Sequence, residues 1–274
     1  MNIPQEFRRT IKHVYPPNNS KIFEEWFFER YNPSDNKSGR EYIPIFPTSY
    51  QVNANYGRDS GKMRQLQRVF DKLDRSKKYF IIAQYDDGIK ANLNGLDVTV
   101  CGMGGGRIDL PLPLTCMPHP YTETSLKHIF ASFQGALTHP IREELLRVLK
   151  NNSRYLVSAK KVSIQEYVRN IQASTFVLCP RGYGKSSFRI AEALQWGAIP
   201  VYISDEFIFP FNVDFNEYGY AIHHNQIGNL DEILSDIPLC DVHKKRQAGK
   251  KAYAEIYSYE GCYQMLMKHL CPVA

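Results

Sequence analysis

The sequence has no apolar run of the roughly 20 residues that a membrane-spanning helix needs. Its opening, MNIPQEFRRTIKHVYPP, lacks the apolar centre of a signal peptide. The expectation is a soluble, cytoplasmic chain with no membrane anchor, whose sequons at Asn18, Asn36 and Asn151 go unused. The six cysteines are dispersed without a CxxC pair, which excludes a zinc ribbon and predicts free thiols. The eight histidines form no HExxH or HxH spacing. A formal charge of +6 is modest and scattered, and no nucleic-acid-binding motif accompanies it, so no nucleic-acid partner is expected. There is no internal repeat and no low-complexity tract.

What remains is ordinary globular material. Hydrophobic residues make up 43% and charged residues 23% of the 274 positions, enough for one large domain or two smaller ones, each with its own core. Short β-rich runs bounded by turn residues occur at 42–46 (YIPIF), 79–85 (YFIIAQY) and 96–102 (LDVTVCG). Between the first two, Met63, Leu66, Val69, Phe70 and Leu73 recur at helical spacing. After a segment broken by Pro111, Pro113, Pro118 and Pro120, the alternation restarts. Strands at 128–135, 154–159, 176–180, 199–204 and 219–224 are separated by helices, one with Pro140 near its start. Strands alternating with helices predict parallel βαβ units. The fold class read from the sequence is α/β, with two Rossmann-like lobes facing a cleft, the first over 1–125 and the second over 126–274.

The stretch FVLCPRGYGKSSFRIAEAL, residues 176–194, invites a P-loop reading. A Walker loop needs GxxxxGK[ST], but Cys179 stands where its first Gly must be and Pro180 removes a backbone N–H. A nucleotide phosphohydrolase or kinase is therefore the alternative, not the main reading. The local pattern still suits an anion: a strand, a glycine-containing turn, then a helix expected to open at Ser186–Ser187 with unpaired N–H groups. Arg181, Lys185 and Arg189 add positive charge, while Glu192 shares a helix face with Arg189, either as a surface ion pair or as a ribose ligand.

The longer stretch CPRGYGKSSFRIAEALQWGAIPVYISDEFIFPF (179–211) resembles the signature of the exostosin-like glycosyltransferases. FASFQGALTHPIREELLRVLK, NLDEIL, YIPIFPTSY, YFIIAQYDDG and IDLPLP resemble other elements of that family in order, so the likeness spans about 40–270. It implies a GT-B fold and inverting transfer of a sugar from a UDP-sugar donor, UDP-xylose being the leading choice, to a glycan or glycoprotein acceptor. By resemblance, Arg181, Gly182, Ser186, Ser187 and Arg189 would serve the diphosphate and Glu192 the ribose. Arg142 would face the diphosphate or be a solvated first-turn arginine. Family members usually carry an anchor and stem, which are missing from this sequence.

No DxD occurs, so no bound metal and no cofactor beyond the donor are expected, and the departing phosphate charge falls to the arginines and serines. The acceptor's proton needs a base. Asp86, just after a buried strand in IIAQYDDG and matching the family's Asp-Gly strand end, is chosen over Asp87, with a turn-capping carboxylate as the bland reading. His119 is the next candidate. CGMGGGR (101–107) lacks the GxGxxG order and reads as a flexible loop on the acceptor side.

Overall fold

The computed structural model describes residues 3–11, 21–115, 118–120 and 126–271. They form two α/β units, each built on its own parallel sheet. The first unit holds α1 (Phe23–Arg30), β1 (Glu41–Tyr42), α2 (Pro47–Asn53), α3 (Ser60–Asp71), β2 (Lys78–Ala83), β3 (Asp97–Gly102) and β4 (Leu110–Pro111). Its strands lie in the order β1-β2-β3-β4, all parallel. Asp59 starts α3 by accepting from the N–H groups of Gly61 and Lys62 at 2.9 and 3.1 Å. The helix then buries Leu66 and Phe70, one turn apart, against Ile81, Val98 and Val100 of the sheet. The run at 42–46 is a strand only at its start. Pro47 sits at the first turn of α2, where its missing N–H costs nothing, and the chain turns helical there.

The second unit contains β5 (Ile129–Gln134), α4 (Pro140–Leu149), β6 (Tyr155–Ser158), α5 (Ile164–Ala173), β7 (Ser174–Pro180), α6 (Arg189–Gln195), β8 (Ile199–Ser204), β9 (Tyr220–His223), α7 (Leu230–Ser235) and α8 (Leu239–Ala252). Its order is β6-β5-β7-β8-β9, again all parallel. The chain leaves β5 toward one edge, forms β6, and crosses back to lay β7 on the other side of β5. That reversal is a switch point at the carboxyl ends of β5 and β7, the usual place for a ligand in such sheets. Below it Phe133, Leu145, Phe176, Leu178, Val201 and Ile203 form a dry core.

The expected division at 125/126 adjoins residues 121–125, which lie outside those described. The described residues up to Leu112 and those from Cys262 to Cys271 belong to the first unit, and those from Pro113 to Gly261 to the second. The physical reason is α9 (Tyr259–Leu270): Tyr263, fully buried, sets its ring 5.5 Å from Phe27 and donates its hydroxyl to Asp35 at 2.6 Å. Among the described residues the cysteines are free, and no helix is long and apolar enough to cross a membrane.

Candidate functional site

The site is built at the reversal in the second sheet. Gln134 ends β5, and its carbonyl accepts from Arg189 Nη2 at 2.6 Å, so the first residue of α6 reaches back to the neighbouring strand. Gly135 follows: a Cβ there would stand 1.9 Å from the same Arg189 nitrogen, so a larger residue would displace that guanidinium. The Arg189 guanidinium also lies 4.9 Å over the Phe133 ring.

Arg142, on the first turn of α4, is buried rather than solvated. Its Nε donates to the Arg181 carbonyl at 2.9 Å, Nη1 to the Ala136 carbonyl at 2.9 Å and Nη2 to the Pro180 carbonyl at 3.3 Å. One planar cation thus ties the loop after β5 to the loop after β7, a task its fork geometry suits. Burial, and then the neighbouring Arg189 charge, push its pKa down to about 10, which leaves it cationic at neutral pH.

Arg181 follows β7. Its Nη1 donates to Asp205 Oδ1 at 2.6 Å and its Nη2 to the Tyr183 carbonyl at 3.1 Å, with a longer bond from Nε to the Gly182 carbonyl. Burial pushes the Asp205 carboxyl up, but the Arg181 bond and charge, with its own backbone N–H, hold it below the ordinary carboxylate value. Lys185 pairs with Glu206, and its carbonyl accepts from Tyr202 OH at 2.6 Å. The GYGKSS loop is therefore braced on β8, and its lysine is held by a carboxylate.

The helix expected at Ser186–Ser187 begins at Arg189 and is only seven residues long. Phe188 holds the cap position without a side-chain cap bond, and the Ser187 hydroxyl, buried, accepts from the Arg189 N–H at a long 3.4 Å. Ser186 stays half-buried on the loop. Phosphate binding by a helix dipole is thereby weakened, because the effect needs several aligned peptide units behind the terminus.

Glu192 is not on the surface. It is 1% exposed, with Oε1 3.0 Å from His119 Nε2 and Oε2 accepting from Tyr167 OH at 2.6 Å. Burial, then the Glu192 charge, raise the Tyr167 phenol well above its ordinary value, so it remains a donor. His119 is itself anchored to Gln195, whose amide donates to its carbonyl at 3.2 Å and whose Oε1 accepts its N–H at 3.3 Å. The sequence reading missed Tyr167. Its only signal is position: on α5 it is the aromatic residue facing α6. His139, which caps α4 by accepting from Ile141 N–H at 3.3 Å, was also missed.

In the first unit, the turn after β2 carries Asp86 and Asp87, half-buried. Asp87 pairs with Lys90 at 3.1 Å. Asp86 faces the glycine run: a Cβ on Gly104 would lie 2.9 Å from Asp86 Oδ1, one on Gly105 2.3 Å from the Asp86 carbonyl, and one on Gly106 2.3 Å from that of Asp87. The flexible acceptor loop expected at 101–107 is therefore a packed one, whose glycines let two backbones touch. Gln51, fully buried, clamps the same turn by donating to the Gly88 carbonyl at 2.8 Å and accepting from Lys90 N–H at 2.7 Å. Glu24 on α1 accepts from Gln84 N–H at 2.7 Å and from Thr48 Oγ1 at 2.7 Å.

A family model described as the exostosin GT47 domain matches residues 53–237. A probable glucuronosyltransferase of Oryza sativa subsp. japonica is 33% identical over 115 residues, which is 41% of this chain and 26% of that protein. The probable beta-1,4-xylosyltransferase IRX10 of Arabidopsis thaliana is 34% identical over 91 residues, 32% of this chain and 22% of that protein. The chain thus spans about a quarter of the length of these relatives. The crystal structure of TarM is similar with a TM-score of 0.44 and 10% identity, over 74% of this chain and 52% of that one.

Proposed function

Because this chain belongs to the exostosin GT47 domain family, we propose that it is a glycosyltransferase of GT-B type that moves a sugar from a UDP-sugar to a hydroxyl of a glycan acceptor with inversion. The observation that carries this reading is the arginine cluster at the sheet reversal, where Arg181 follows β7, Arg189 at the start of α6 bonds the end of β5, and Arg142 ties the loops after those two strands together. Charge leaves on a diphosphate in such a transfer, and fixed cations in a partly buried site stabilise it without reorganisation. Arg181 and Arg189 serve that charge, with Ser186, Ser187 and the backbone near Gly182 lining it. Arg142 acts as the strut behind them. Glu192 binds the ribose through Oε1 when His119 gives that oxygen up, Oε2 being held by Tyr167. Asp86 takes the acceptor's proton.

The names of the relatives, glucuronosyl- and xylosyltransferases, support a pentose or uronate donor over a hexosamine. UDP-xylose is the leading donor and UDP-glucuronate the second. The test is calorimetric titration with UDP, followed by turnover of each UDP-sugar with a xylan oligosaccharide, with and without EDTA. UDP should bind, one of the two donors should be consumed, and the anomeric proton of the product should have the inverted coupling. Failure of UDP to bind overturns the reading, and loss of turnover in EDTA overturns its metal-independent leaving-group chemistry.

A further inference from the structure

The end of β8 carries a carboxylate that the transfer chemistry above does not use. Asp205 follows the buried Ser204, and its side chain is 41% exposed. Oδ1 accepts from Arg181 Nη1 at 2.6 Å and, at a long 3.4 Å, from Ser204 Oγ. Both of these bonds fall on Oδ1, so Oδ2 is the oxygen left for a ligand. Burial would lift the carboxyl, but the Arg181 bond holds it below its ordinary value, and it is ionised at neutral pH.

The place of Asp205 restricts what that ligand is. Arg181 spends one N–H of each guanidinium nitrogen on Asp205 and on the carbonyls of Tyr183 and Gly182. A second N–H on Nη1 and another on Nη2 are left for a phosphate. A phosphate held there stands roughly 5 Å from the Asp205 carboxylate, about the width of one pyranose. Like charges at that range repel. The neighbouring cations are already engaged, Lys185 with Glu206 and Arg142 with three carbonyls. Burial, then the Arg181 charge, hold the His139 imidazole below its ordinary value, so it is mostly neutral at pH 7. A second anion finds little to offset it here, whereas a neutral hydroxyl gives a carboxylate a charge-assisted bond.

We propose that Asp205 selects the donor sugar: its Oδ2 accepts from hydroxyls of the sugar carried on the diphosphate, and its charge turns away a sugar that bears a carboxylate. The site takes a neutral sugar and rejects a uronate. This rests on the donor reading above and narrows it to one of the two donors named there. Xylose and glucuronate suit the question, because they share their ring hydroxyls and differ only in the carboxyl group on the ring. Glucose, with a neutral hydroxymethyl group in that place, separates bulk from charge. Specificity of this kind is a difference of affinities, with a repulsive element against the wrong ligand.

The test is calorimetric titration of the full chain with UDP, UDP-xylose, UDP-glucose and UDP-glucuronate, in EDTA and in manganese. The two neutral sugars should bind more tightly than UDP-glucuronate by about tenfold. Asp205→Asn keeps an oxygen for Arg181 but loses the charge. It should weaken UDP-xylose and UDP-glucose by about tenfold, tighten UDP-glucuronate, and leave UDP bound at least as tightly as in the parent. Glu206→Gln, one residue on, should leave the order of the four ligands unchanged. The selection is overturned if the parent prefers UDP-glucuronate, or if Asp205→Asn leaves the ratio of UDP-xylose to UDP-glucuronate affinity as it was. It is overturned too if UDP affinity falls in Asp205→Asn, since the carboxylate would then only orient Arg181. An equal change in Glu206→Gln, or UDP binding that needs both manganese and Asp205, does the same. A chain that binds no UDP fails the transferase reading and this one together, whereas UDP binding without sugar selection fails this one alone.

Discussion

The two sheets end in opposite chemistry. In the first unit the strands run in simple order, and the loops at their carboxyl ends bring carboxylates together: Asp86 and Asp87 after β2, with Glu24 bonded just behind them. These loops are packed backbone to backbone through Gly104, Gly105 and Gly106. In the second unit the order reverses at β5, and the corresponding loops carry Arg142, Arg181, Arg189 and Lys185, held apart by carbonyls and two carboxylates. A parallel sheet gathers its loops at one end whatever they contain. What differs is how charge is held there. The acidic end relies on glycine and on backbone donors, the basic end on arginine forks that reach across strands. Two parallel sheets of different strand order thus gather opposite charge at their carboxyl ends.

The largest expected effect breaks the acidic side. Asp86→Asn should slow sugar transfer by at least ~10²-fold, the lower range for loss of a general base, while UDP affinity and melting temperature stay the same. Asp87→Asn is the control, because its carboxylate is committed to Lys90. Steady-state kinetics of the two variants decide the assignment: a loss confined to Asp87→Asn moves the base by one residue.

Next comes the pH response of the first unit. Burial lifts the Glu24 carboxyl from 4.5 to about 7, against the pull of its bonds to Thr48 and Gln84. The folded chain therefore keeps this proton where the unfolded chain has lost it. The contribution of Glu24 to stability is whole below pH 4.5 and falls as pH rises to about 7, by on the order of 3 kcal/mol in all. Chemical denaturation across that range should show the decline, and Glu24→Gln should flatten it. An unchanged slope in the variant would exclude Glu24 as its source.

The basic side is sharpened by Arg181→Ala. Removing one charge-assisted contact should weaken UDP binding by about 1.5–3 kcal/mol, measured by calorimetry, without unfolding the chain. The smallest effect belongs to Lys185→Ala. Its bond to Glu206 is partly exposed, and such pairs contribute about 0–1 kcal/mol, so UDP affinity should change little. A large loss there would revive the phosphate-lysine reading of GYGKSS.

Much of this was legible along the chain. Period-two and helical patterns located β2, β3 and all five strands of the second unit, because a buried strand or an amphipathic helix writes its burial into residue order. The glycines and arginines of the candidate site were legible as residue types at the ends of strands. Their tasks were not. Arg142 reads as facing a diphosphate or as a solvated first-turn arginine and is a buried strut, because the placing of β7 beside β5 brings Pro180 next to it. Glu192 and Arg189 read as neighbours three apart, yet Glu192 is bonded by Tyr167, 25 positions away, and by His119, 73 away. The start of α6 was misjudged by three residues, since serines favour caps by propensity but packing of the loop on Tyr202 decides where the helix begins.

The sequence by itself determined the class of the fold, two successive α/β units of parallel strands, because hydrophobic period and turn chemistry are local properties. It also determined which residue types stand at the strand ends. Strand order, and with it the switch point between β5 and β7, was decided only in three dimensions, since the same alternation is compatible with β7 on either side of β5. So was the return of α9 to the first unit, which rests on burial of Tyr263 against a helix more than two hundred residues earlier. Contacts of that separation leave no period in the chain, because packing between distant segments selects surfaces that fit and not residues that follow one another.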